Sequence, residues 1–323
     1  MADKAFKVVL SFDLGENFIR ELREEFPQVD FKIGMTPEDQ AREAVDAEVI
    51  WGNLHREAFL AAENLKWYCF IGIGFDSDLK RTAELKESDL TMTVSRESHV
   101  SAMADHVFAM ILAFAHRVRD AMEDQRNHVW DTLKYHRTIT ELAGTTLGIL
   151  AFGDIGRAVA KRAAGFDMEV FAVDLTPTPA PPGVREVWGL DRLDELLRIS
   201  DWFVVTAPRT PETRGLIGRE RLAKIKKGAH VIVVSRGGII EEEALAEALQ
   251  SGRVGGAALD ALVEEPPPDD HPLWDLPNVI VTAHTSAESA ENYDRRGEIF
   301  KENLRRYIAG DPLMFAVDKK RGF

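Results

Sequence analysis

The feature that most constrains the fold of this chain is a regular alternation of short apolar runs with amphipathic stretches. From Thr145 onward, helical patterns separate six runs of strand type: LGILAF, MEVFAVD, DWFVVTAP, AHVIVVS, GGAALDA and NVIVTAH. The residues before Ser95 show the same alternation in KVVLSF, DFKIG, VIWG, WYCFIG and LTMTVS. Strands that alternate with helices predict parallel sheets covered on both faces. We therefore predict an α/β fold with two flavodoxin- or Rossmann-like doubly wound domains.

Two longer stretches predict how the domains are divided. Ala102 to Arg119 contains VFAMILAFA and is apolar nearly all round, which is typical of a helix buried between domains or subunits. This helix favours a homodimer. The amphipathic stretch from Ala287 to Ala309 is expected to return to the first domain. We predict a discontinuous first domain of residues 1–99 plus 288–323 and a second domain of residues 100–287.

Composition excludes several classes of partner. The formal net charge of −14 and the pI near 5.2 argue against nucleic acid, whose nonspecific binding needs clustered Lys and Arg. The longest neutral runs, at 142–153 and 276–287, are much shorter than the ~20 apolar residues of a membrane span. No membrane segment or signal peptide is predicted. The single cysteine, Cys69 in WYCFIG, is predicted to be an inert core thiol, and it suits the reducing cytoplasm where we expect the protein.

The segment LGILAFGDIGRAVA has the pattern of a strand, a tight turn and a helix. Gly153 and Gly156 stand in the turn, and Ala151 stands where the first glycine of G-x-G-x-x-G would be. Such a turn lets a pyrophosphate approach the backbone at a helix N-terminus. The next strand ends with Asp174, 18 residues after Gly156, where a carboxylate can bind the adenosine ribose hydroxyls. The pattern therefore predicts a dinucleotide site.

Asp174 also bears on the choice between NAD and NADP. A carboxylate repels a 2′-phosphate, and the next residues, Leu175 and Thr176, offer no positive charge. NAD is therefore the predicted cofactor. Arg185 lies further along the chain and leaves a route to NADP open.

Three separate residues follow predicted strands, at the edge where open α/β sheets bind ligands. Arg236 follows HVIVVS, Glu265 follows AALDA after a short loop, and His284 follows NVIVTA. An arginine can bind a carboxylate bidentately, and a histidine beside a carboxylate can exchange a proton with an alkoxide. Each residue alone is explained as well by a salt bridge or a helix cap. Together they predict a dehydrogenase that moves a hydride between NAD and C2 of a small 2-hydroxy or 2-keto acid.

The chain also resembles a known family. The stretch VIVVSRGGIIEEEALAEALQSGRVGGAALDALVEEPPPDDHPLWDLPNVIVTAHTSA is similar, almost continuously, to the second signature region of the D-isomer-specific 2-hydroxyacid dehydrogenases. IGIGFD, at 71–76, and MADHVFAMILA, at 103–113, resemble that family's glycine loop and interdomain helix. The resemblance extends from Leu65 to Ala287. It implies a substrate domain, an NAD-binding domain and an active site in the cleft between them.

By this resemblance, Arg236 is the substrate arginine, Glu265 is the carboxylate partner and His284 is the acid–base residue. Asp260, in AALDA, would hold the nicotinamide carboxamide. The full set of predicted cofactor contacts is Gly153, Asp154, Ile155, Gly156, Asp174, Ala207, Pro208, Asp260 and His284.

The resemblance further implies that the backbone amides of Ile73 and Gly74 receive the substrate carboxylate. A Gly-x-Gly loop after a strand exposes N–H donors to an anion, although an ordinary strand-ending turn explains the same pattern. The loop from Trp51 to His55 is expected to line the far wall of the pocket. The chain departs from the family at Ala283, where proline is usual, and at 261–262, where Val-Phe is common, so the pocket shape stays open.

Several functions remain open at this point. Glyoxylate, hydroxypyruvate, pyruvate, a bulkier keto acid and phosphohydroxypyruvate all present the same carboxylate and carbonyl. Glu265 speaks against formate as the substrate, because the resembling formate enzymes have glutamine there. A phosphite dehydrogenase on the same scaffold would use the same three residues. A non-enzymatic NAD sensor is the alternative from another class, because fold does not fix function.

Other polar and aromatic residues are given structural interpretations. No metal is predicted, because no histidine pair has ligand spacing supported by carboxylates. His106 is expected to be a core or interface group. Three histidines are expected to be solvated: His99, His128 and His136. Arg56 and Arg96 are expected to form surface salt bridges, with a substrate phosphate as the alternative, and Trp130 and Tyr135 to pack in a core or interface or to reach a partner's pocket.

Overall fold

The computed structural model describes residues 5–75, 79 and 81–319. The chain divides into two compact units, Met1–Ser98 with Ser289–Phe323, and His99–Glu288. Asp76, the last residue of the predicted glycine loop, lies outside the described residues, as does the start of the chain at 1–4.

The first unit contains a parallel sheet of five strands in the order β2-β1-β3-β4-β5. The strands are β1 (Phe6–Ser11), β2 (Val29–Ile33), β3 (Val49–Gly52), β4 (Trp67–Phe70) and β5 (Thr91–Val94). The helices between them include α1 (Gly15–Glu25), α2 (Pro37–Ala44) and α3 (Arg56–Ala61). This strand order is that of flavodoxin-like doubly wound sheets, which confirms the predicted fold class.

The C-terminal stretch of the chain packs on this first sheet. After the second unit it forms a long helix, Ala290–Ala309, whose first turn is capped by the Ser289 side chain. Phe300 on this helix is fully buried and stacks on the Trp51 ring, with 4.5 Å between the ring centroids. Beyond the helix, Ala316 forms an antiparallel bridge with Thr93 of β5. The core of the first unit is therefore built from both ends of the chain.

The second unit contains a parallel sheet of seven strands in the order β12-β11-β10-β9-β6-β7-β8. Its strands are β6 (Thr146–Leu150), β7 (Glu169–Val173), β8 (Glu186–Trp188), β9 (Trp202–Val205), β10 (Ala229–Val233), β11 (Val254–Leu259) and β12 (Val279–Val281). Its helices are α4 (Val100–Ala115), α5 (Val118–Arg126), α6 (Asp154–Ala163), α7 (Leu193–Ile199), α8 (Arg219–Leu222) and α9 (Glu242–Gln250). The C-terminal helix of the first unit, Ala290–Ala309, is α10. Short 3-10 turns lie at Ala83–Glu87 in the first unit and at Leu133–Tyr135, Ala164–Phe166 and Leu190–Arg192 in the second. The chain order reverses between β6 and β9, which creates the crevice where doubly wound sheets bind dinucleotides.

Two predictions about elements in the second unit are wrong. Its sheet has a seventh strand, β8, which follows the proline-rich segment at 176–183. Three residues are too few to show an alternating pattern, so only pairing with β7 reveals it. The helix predicted from Ala102 to Arg119 ends at Ala115, because Arg117 adopts a left-handed φ of 55° and a new helix starts at Val118.

One prediction of exposure is also wrong, and two further predictions are narrowed. The sequence predicts a solvated His99, but this residue is 5% exposed, because it precedes α4 in a buried segment. In the stretch from Trp51 to His55, Trp51 itself is fully buried in β3 against Phe300, so only the residues after it can line a pocket wall, which stays a prediction. Trp130 is 96% exposed, which excludes core packing within this chain, whereas its packing in an interface or a partner's pocket stays a prediction. Cys69 is fully buried, as predicted, and burial raises the pKa of its thiol to about 12.

Within the part of the chain that the structure describes, no helix has the length and apolar character that crossing a membrane requires. Over the same residues, no three His, Cys, Asp or Glu side chains are grouped as metal ligands would be.

Candidate active site

Three neighbouring strands of the second sheet bring the predicted catalytic residues to one edge. Arg236 follows β10, Glu265 follows β11 and His284 follows β12. Strands β10, β11 and β12 are adjacent and parallel, so their carboxyl ends lie side by side. This is the edge of an open α/β sheet at which ligands bind.

His284 and Glu265 are joined by a direct hydrogen bond. His284 Nδ1 lies 2.8 Å from Glu265 Oε2, and the other oxygen, Oε1, accepts from the backbone N–H of Leu262 at 3.0 Å. Both side chains are about two-fifths exposed. His284 Nε2 has no hydrogen-bond partner among the described residues. The carboxylate therefore fixes the tautomer and leaves Nε2 as the nitrogen that can exchange a proton with a ligand.

The pair shifts the pKa values of both groups. The hydrogen bond to Glu265 raises the pKa of His284 above its ordinary 6.5, and this effect outweighs burial and the nearby Arg236, which both lower it. Burial alone would raise the pKa of Glu265, but the hydrogen bonds from His284 and Leu262, with the charge of Arg236, hold it below its usual range. Glu265 is thus an ionised acceptor that favours the imidazolium form of His284.

Arg236 lies in a turn that packs against the Glu265 loop. Its Nη1 donates to the carbonyl of Ser235 at 2.8 Å. The next residue, Gly237, approaches Leu262 so closely that a Cβ at this position would lie 2.0 Å from the Leu262 carbonyl carbon. Only glycine fits this contact. The turn therefore sets the position of Arg236 relative to the loop that carries Glu265.

Asp260 has a structural role that the sequence does not indicate. Its carboxylate accepts three hydrogen bonds: from Thr282 Oγ1 at 2.6 Å, from Thr285 N at 2.8 Å and from Ser286 N at 3.0 Å. The Asp260 side chain is 1% exposed. These bonds hold the turn that contains His284, which itself has a left-handed φ of 54°. The TAHTS segment supplies the donors, but only the fold shows that they converge on one carboxylate.

His106 extends this network from α4. Its Nε2 lies 3.2 Å from Thr282 Oγ1 and 3.9 Å from the Asp260 carboxylate. Burial lowers the pKa of His106. His106 is therefore a polar group of the core, as predicted, and it braces the same turn.

The turn after β6 has the geometry of a pyrophosphate cradle. Gly153 caps α6, and no atom lies within 4 Å of the position that a Cβ would take there, so this side of the turn is open. A Cβ at Gly156 would lie 2.5 Å from the Ala151 carbonyl oxygen, so a side chain there would fill the turn. Ala151 adopts a φ of 75°, the conformation that glycine adopts without strain. Asp154 and Ile155 form the first turn of the helix beside this space.

Asp174 braces this turn from the end of β7. Its Oδ2 accepts from Phe152 N at 2.7 Å, and its Oδ1 accepts from Thr176 N at 3.0 Å. Each oxygen keeps a further lone pair for a ribose hydroxyl. Ala207 and Pro208 follow β9, the strand that pairs with β6. The glycines, the carboxylate and these residues surround the switch point of the sheet, and they fit a dinucleotide.

Two arginines near the cofactor turn differ in their contacts. Arg185 is paired with Glu169 at 2.8 Å. Arg157, which no sequence motif singles out, lies 4.8 Å above the Phe152 ring and 3.4 Å from Thr178 Oγ1. Arg157 therefore contacts the loop after Asp174, whereas Arg185 contacts Glu169.

In the first unit, the predicted anion-binding loop follows β4. The carbonyl of Gly72 accepts from Ser95 N at 2.9 Å, which fixes the start of the loop. Ile73 and Gly74 are partly exposed, and neither amide donates a hydrogen bond within the described residues.

The neighbouring loop, at 52–55, is held by buried side chains that the sequence does not indicate. Gln40 is fully buried; its Nε2 donates to Asn53 O at 2.6 Å, and its Oε1 accepts from His55 N at 2.8 Å. Ser11 Oγ also donates to Asn53 O at 2.6 Å. The Tyr68 hydroxyl accepts from the backbone N–H of Leu54 at 3.2 Å. These partners are distant in sequence, so no local pattern reveals them.

Sequence and structure comparisons agree with this geometry. The family model described as "D-isomer specific 2-hydroxyacid dehydrogenase, NAD binding domain" matches residues 108–286. The D-3-phosphoglycerate dehydrogenase of Methanocaldococcus jannaschii is 33% identical over 312 residues, which cover 94% of this chain. The chain spans only 58% of the length of that relative.

Two further relatives match along nearly their whole length. The glycerate dehydrogenase of Methylorubrum extorquens is 30% identical over 303 residues, covering 91% of this chain and 93% of the relative. A crystal structure of a D-isomer specific 2-hydroxyacid dehydrogenase family protein from Aeromonas salmonicida superposes with a TM-score of 0.89. That structure is 28% identical and covers 98% of this chain and 99% of its own.

Proposed function

Because the chain belongs to the D-isomer specific 2-hydroxyacid dehydrogenase family, we propose that it is an NAD-dependent reductase of small 2-keto acids. The observation that carries the proposal is the 2.8 Å hydrogen bond between His284 Nδ1 and Glu265, which leaves Nε2 able to deliver a proton. A bound nicotinamide supplies the hydride for C2 of the keto acid. The product is the D-2-hydroxy acid.

In this proposal, His284 is the proton donor. As hydride reaches C2, negative charge develops on the carbonyl oxygen, and the imidazolium gives the Nε2 proton to that oxygen. Glu265 stabilises the charged imidazole before transfer, because it is itself ionised and hydrogen-bonded to Nδ1. In the oxidation direction, the neutral ring takes the proton back from the hydroxyl.

Arg236 is proposed to bind the substrate carboxylate. Its guanidinium can form two parallel hydrogen bonds to a carboxylate, which fixes the orientation of the adjacent carbonyl. The positive charge also stabilises the oxygen on which charge develops. The predicted contribution of the Ile73 and Gly74 amides stays a prediction.

NAD is proposed over NADP. Asp174 places a carboxylate at the end of β7, and Arg185 is already paired with Glu169. Both observations disfavour a 2′-phosphate. Arg157 contacts the loop after Asp174 and could attract a 2′-phosphate. Because Asp174→Gly removes the repelling carboxylate and keeps Arg157, it should increase the use of NADPH relative to NADH.

We also propose that the first unit is the substrate domain, the second is the NAD-binding domain and the protein is a homodimer in the cytoplasm. The exposed apolar side chains after α4 support self-association, because Trp130 is 96% exposed and Leu133 is 82% exposed. Light scattering on the purified protein measures the mass directly. A monomeric mass at micromolar concentration would contradict the dimer.

The proposed activity is tested by following NADH absorbance with a panel of 2-keto acids of different size and charge. The panel includes glyoxylate, hydroxypyruvate, pyruvate and phosphohydroxypyruvate, and it is repeated with NADPH. We expect turnover with at least one acid, and its loss in Arg236→Ala and His284→Ala. If no acid is reduced while NADH still binds, the proposal fails and oxidation of phosphite is tested next.

A further inference from the structure

We propose that Glu242 and His271 are positioning residues that hold the loop carrying Glu265, and thereby set the proton affinity of His284. The inference rests on the proposed function, because it assigns a role to residues that act through Glu265. Neither side chain lies in the proton-transfer pair itself. Their effect is transmitted through the loop at 262–273.

This loop leaves the core of the second unit and returns to it. Leu262, at its start, is 6% exposed, and Leu273, at its end, is fully buried. The residues between them are mostly exposed and include three consecutive prolines at 266–268. Glu265 therefore lies on a surface segment that is anchored by apolar contacts only at its two ends.

A single carboxylate joins the two ends of this loop. Glu242, in the first turn of α9, accepts from Val263 N through Oε1 at 2.7 Å. Its other oxygen, Oε2, lies 3.2 Å from His271 Nε2. The Glu242 side chain is 16% exposed and that of His271 is 13% exposed. Glu265 lies inside the segment that this carboxylate closes.

The hydrogen bonds of His271 indicate its tautomer. Nδ1 faces Leu273 N at 3.5 Å, so this nitrogen is the acceptor and Nε2 carries the proton that points to Glu242. The same end of the loop is tightened by Trp274, whose Nε1 donates to Pro268 O at 3.1 Å. The bond to Glu242 is therefore charge-assisted on the acceptor side, which makes it stronger than a neutral one.

The consequence for catalysis follows from the position of Val263. Leu262 N donates to Glu265, and the adjacent Val263 N donates to Glu242. If the bond from Val263 N to Glu242 is lost, the backbone next to Leu262 N is no longer held. The Glu265 carboxylate, which Leu262 N binds, can then move away from His284 Nδ1. The charged groups that face His284 are Glu265, Arg236 and Asp260, and only Glu265 lies on this loop. Weakening its contact should lower the pKa of His284.

The test measures the pKa of His284 by NMR titration of its imidazole in the cofactor-free protein. The signal is assigned by its absence in His284→Asn. We expect the pKa of His284 to fall toward its ordinary value in Glu242→Ala and in His271→Ala. His271→Gln, which keeps an N–H donor for Glu242, should restore it at least partly. Asp270→Ala is the matched control, because it removes an exposed charge from the same loop.

Activity provides the second readout. A displaced Glu265 should reduce kcat/KM by ~10-fold or more in the two alanine variants, with the larger effect in kcat. An unchanged pKa of His284 in folded Glu242→Ala and His271→Ala would overturn the inference. If Glu242→Ala does not fold, the comparison of His271→Ala with His271→Gln decides. If the pKa shifts but the wild-type protein reduces no keto acid, the positioning role stands and the proposed function fails.

Discussion

The two units of this protein hold the loops at the carboxyl edges of their sheets by different chemistry. In the second unit, buried or half-buried carboxylates accept backbone N–H groups: Asp260 binds Thr285 and Ser286, and Glu265 binds Leu262. In the first unit, no carboxylate is among the described contacts of the loop at 52–55, which is bound by the Gln40 amide, the Tyr68 hydroxyl and the Arg81 guanidinium, whose Nε donates to Leu54 O at 3.2 Å. The edge held by carboxylates is the one that carries an acid–base residue.

The difference has a physical consequence. Ionised acceptors form stronger hydrogen bonds than neutral ones, but their strength depends on pH. Amide, hydroxyl and guanidinium groups do not titrate in the physiological range. We therefore expect the second unit to supply the pH dependence of the reaction, and the first unit to supply a pH-independent surface for the substrate.

The largest expected effect is the loss of the proton donor. His284→Asn removes the group that delivers the proton, and general acid catalysis contributes ~10²- to 10⁴-fold. Steady-state kinetics with the preferred keto acid should show this loss in kcat. NADH affinity, measured by fluorescence, serves as the control and should change little. A variant with more than a tenth of wild-type kcat would contradict the role of His284.

The next effect concerns Asp260, whose carboxylate has three donors. Asp260→Ala leaves these buried N–H and O–H groups without an acceptor, which should lower the free energy of unfolding of the second unit by about 3 kcal/mol. Calorimetry measures the change. A shift in melting temperature no larger than that of an exposed Asp270→Ala control would show that the turn does not depend on this carboxylate.

The sequence predicts the strands and the residues at their ends better than it predicts the side chains that hold the loops. The glycine turn and the three strand ends have local patterns, so the sequence alone places Gly156, Arg236 and His284 at the edge of a parallel sheet. Strand β8 has only three residues and no alternation to detect. The partners of Gln40 and Glu242 lie 13 to 15 and 21 to 29 residues away, and their pairing depends on the tertiary fold.

At acid pH, His230 is expected to have an effect on stability comparable to that of Asp260→Ala. This ring is packed between Phe114 and Trp202, and burial lowers its pKa from 6.5 to about 4. Between these values the unfolded chain binds a proton that the folded chain does not, so stability decreases as pH falls from 6.5 toward 4. The decrease should reach about 3 kcal/mol. Urea unfolding of the wild type and His230→Phe as a function of pH should show a flatter dependence in the variant; identical slopes would contradict it.

A smaller effect on stability is expected for Gln40, whose neutral side chain holds the loop at 52–55 of the first unit. Gln40→Ala leaves His55 N without its acceptor, at a cost of about 2 kcal/mol in the free energy of unfolding. Because no titrating group is removed or introduced, the pH profile of the reaction should keep its shape in Gln40→Ala. A displaced profile would break the proposed contrast between the two units.

The most direct test of the central claim is the pH dependence of kcat/KM for keto-acid reduction in the wild type and in Glu265→Gln. Reduction needs the imidazolium form of His284, so activity should fall as pH rises through the pKa of His284. Glu265 raises that pKa, so the fall should begin at a lower pH in Glu265→Gln. A profile that does not move between the two proteins would show that the pair is not the source of the proton.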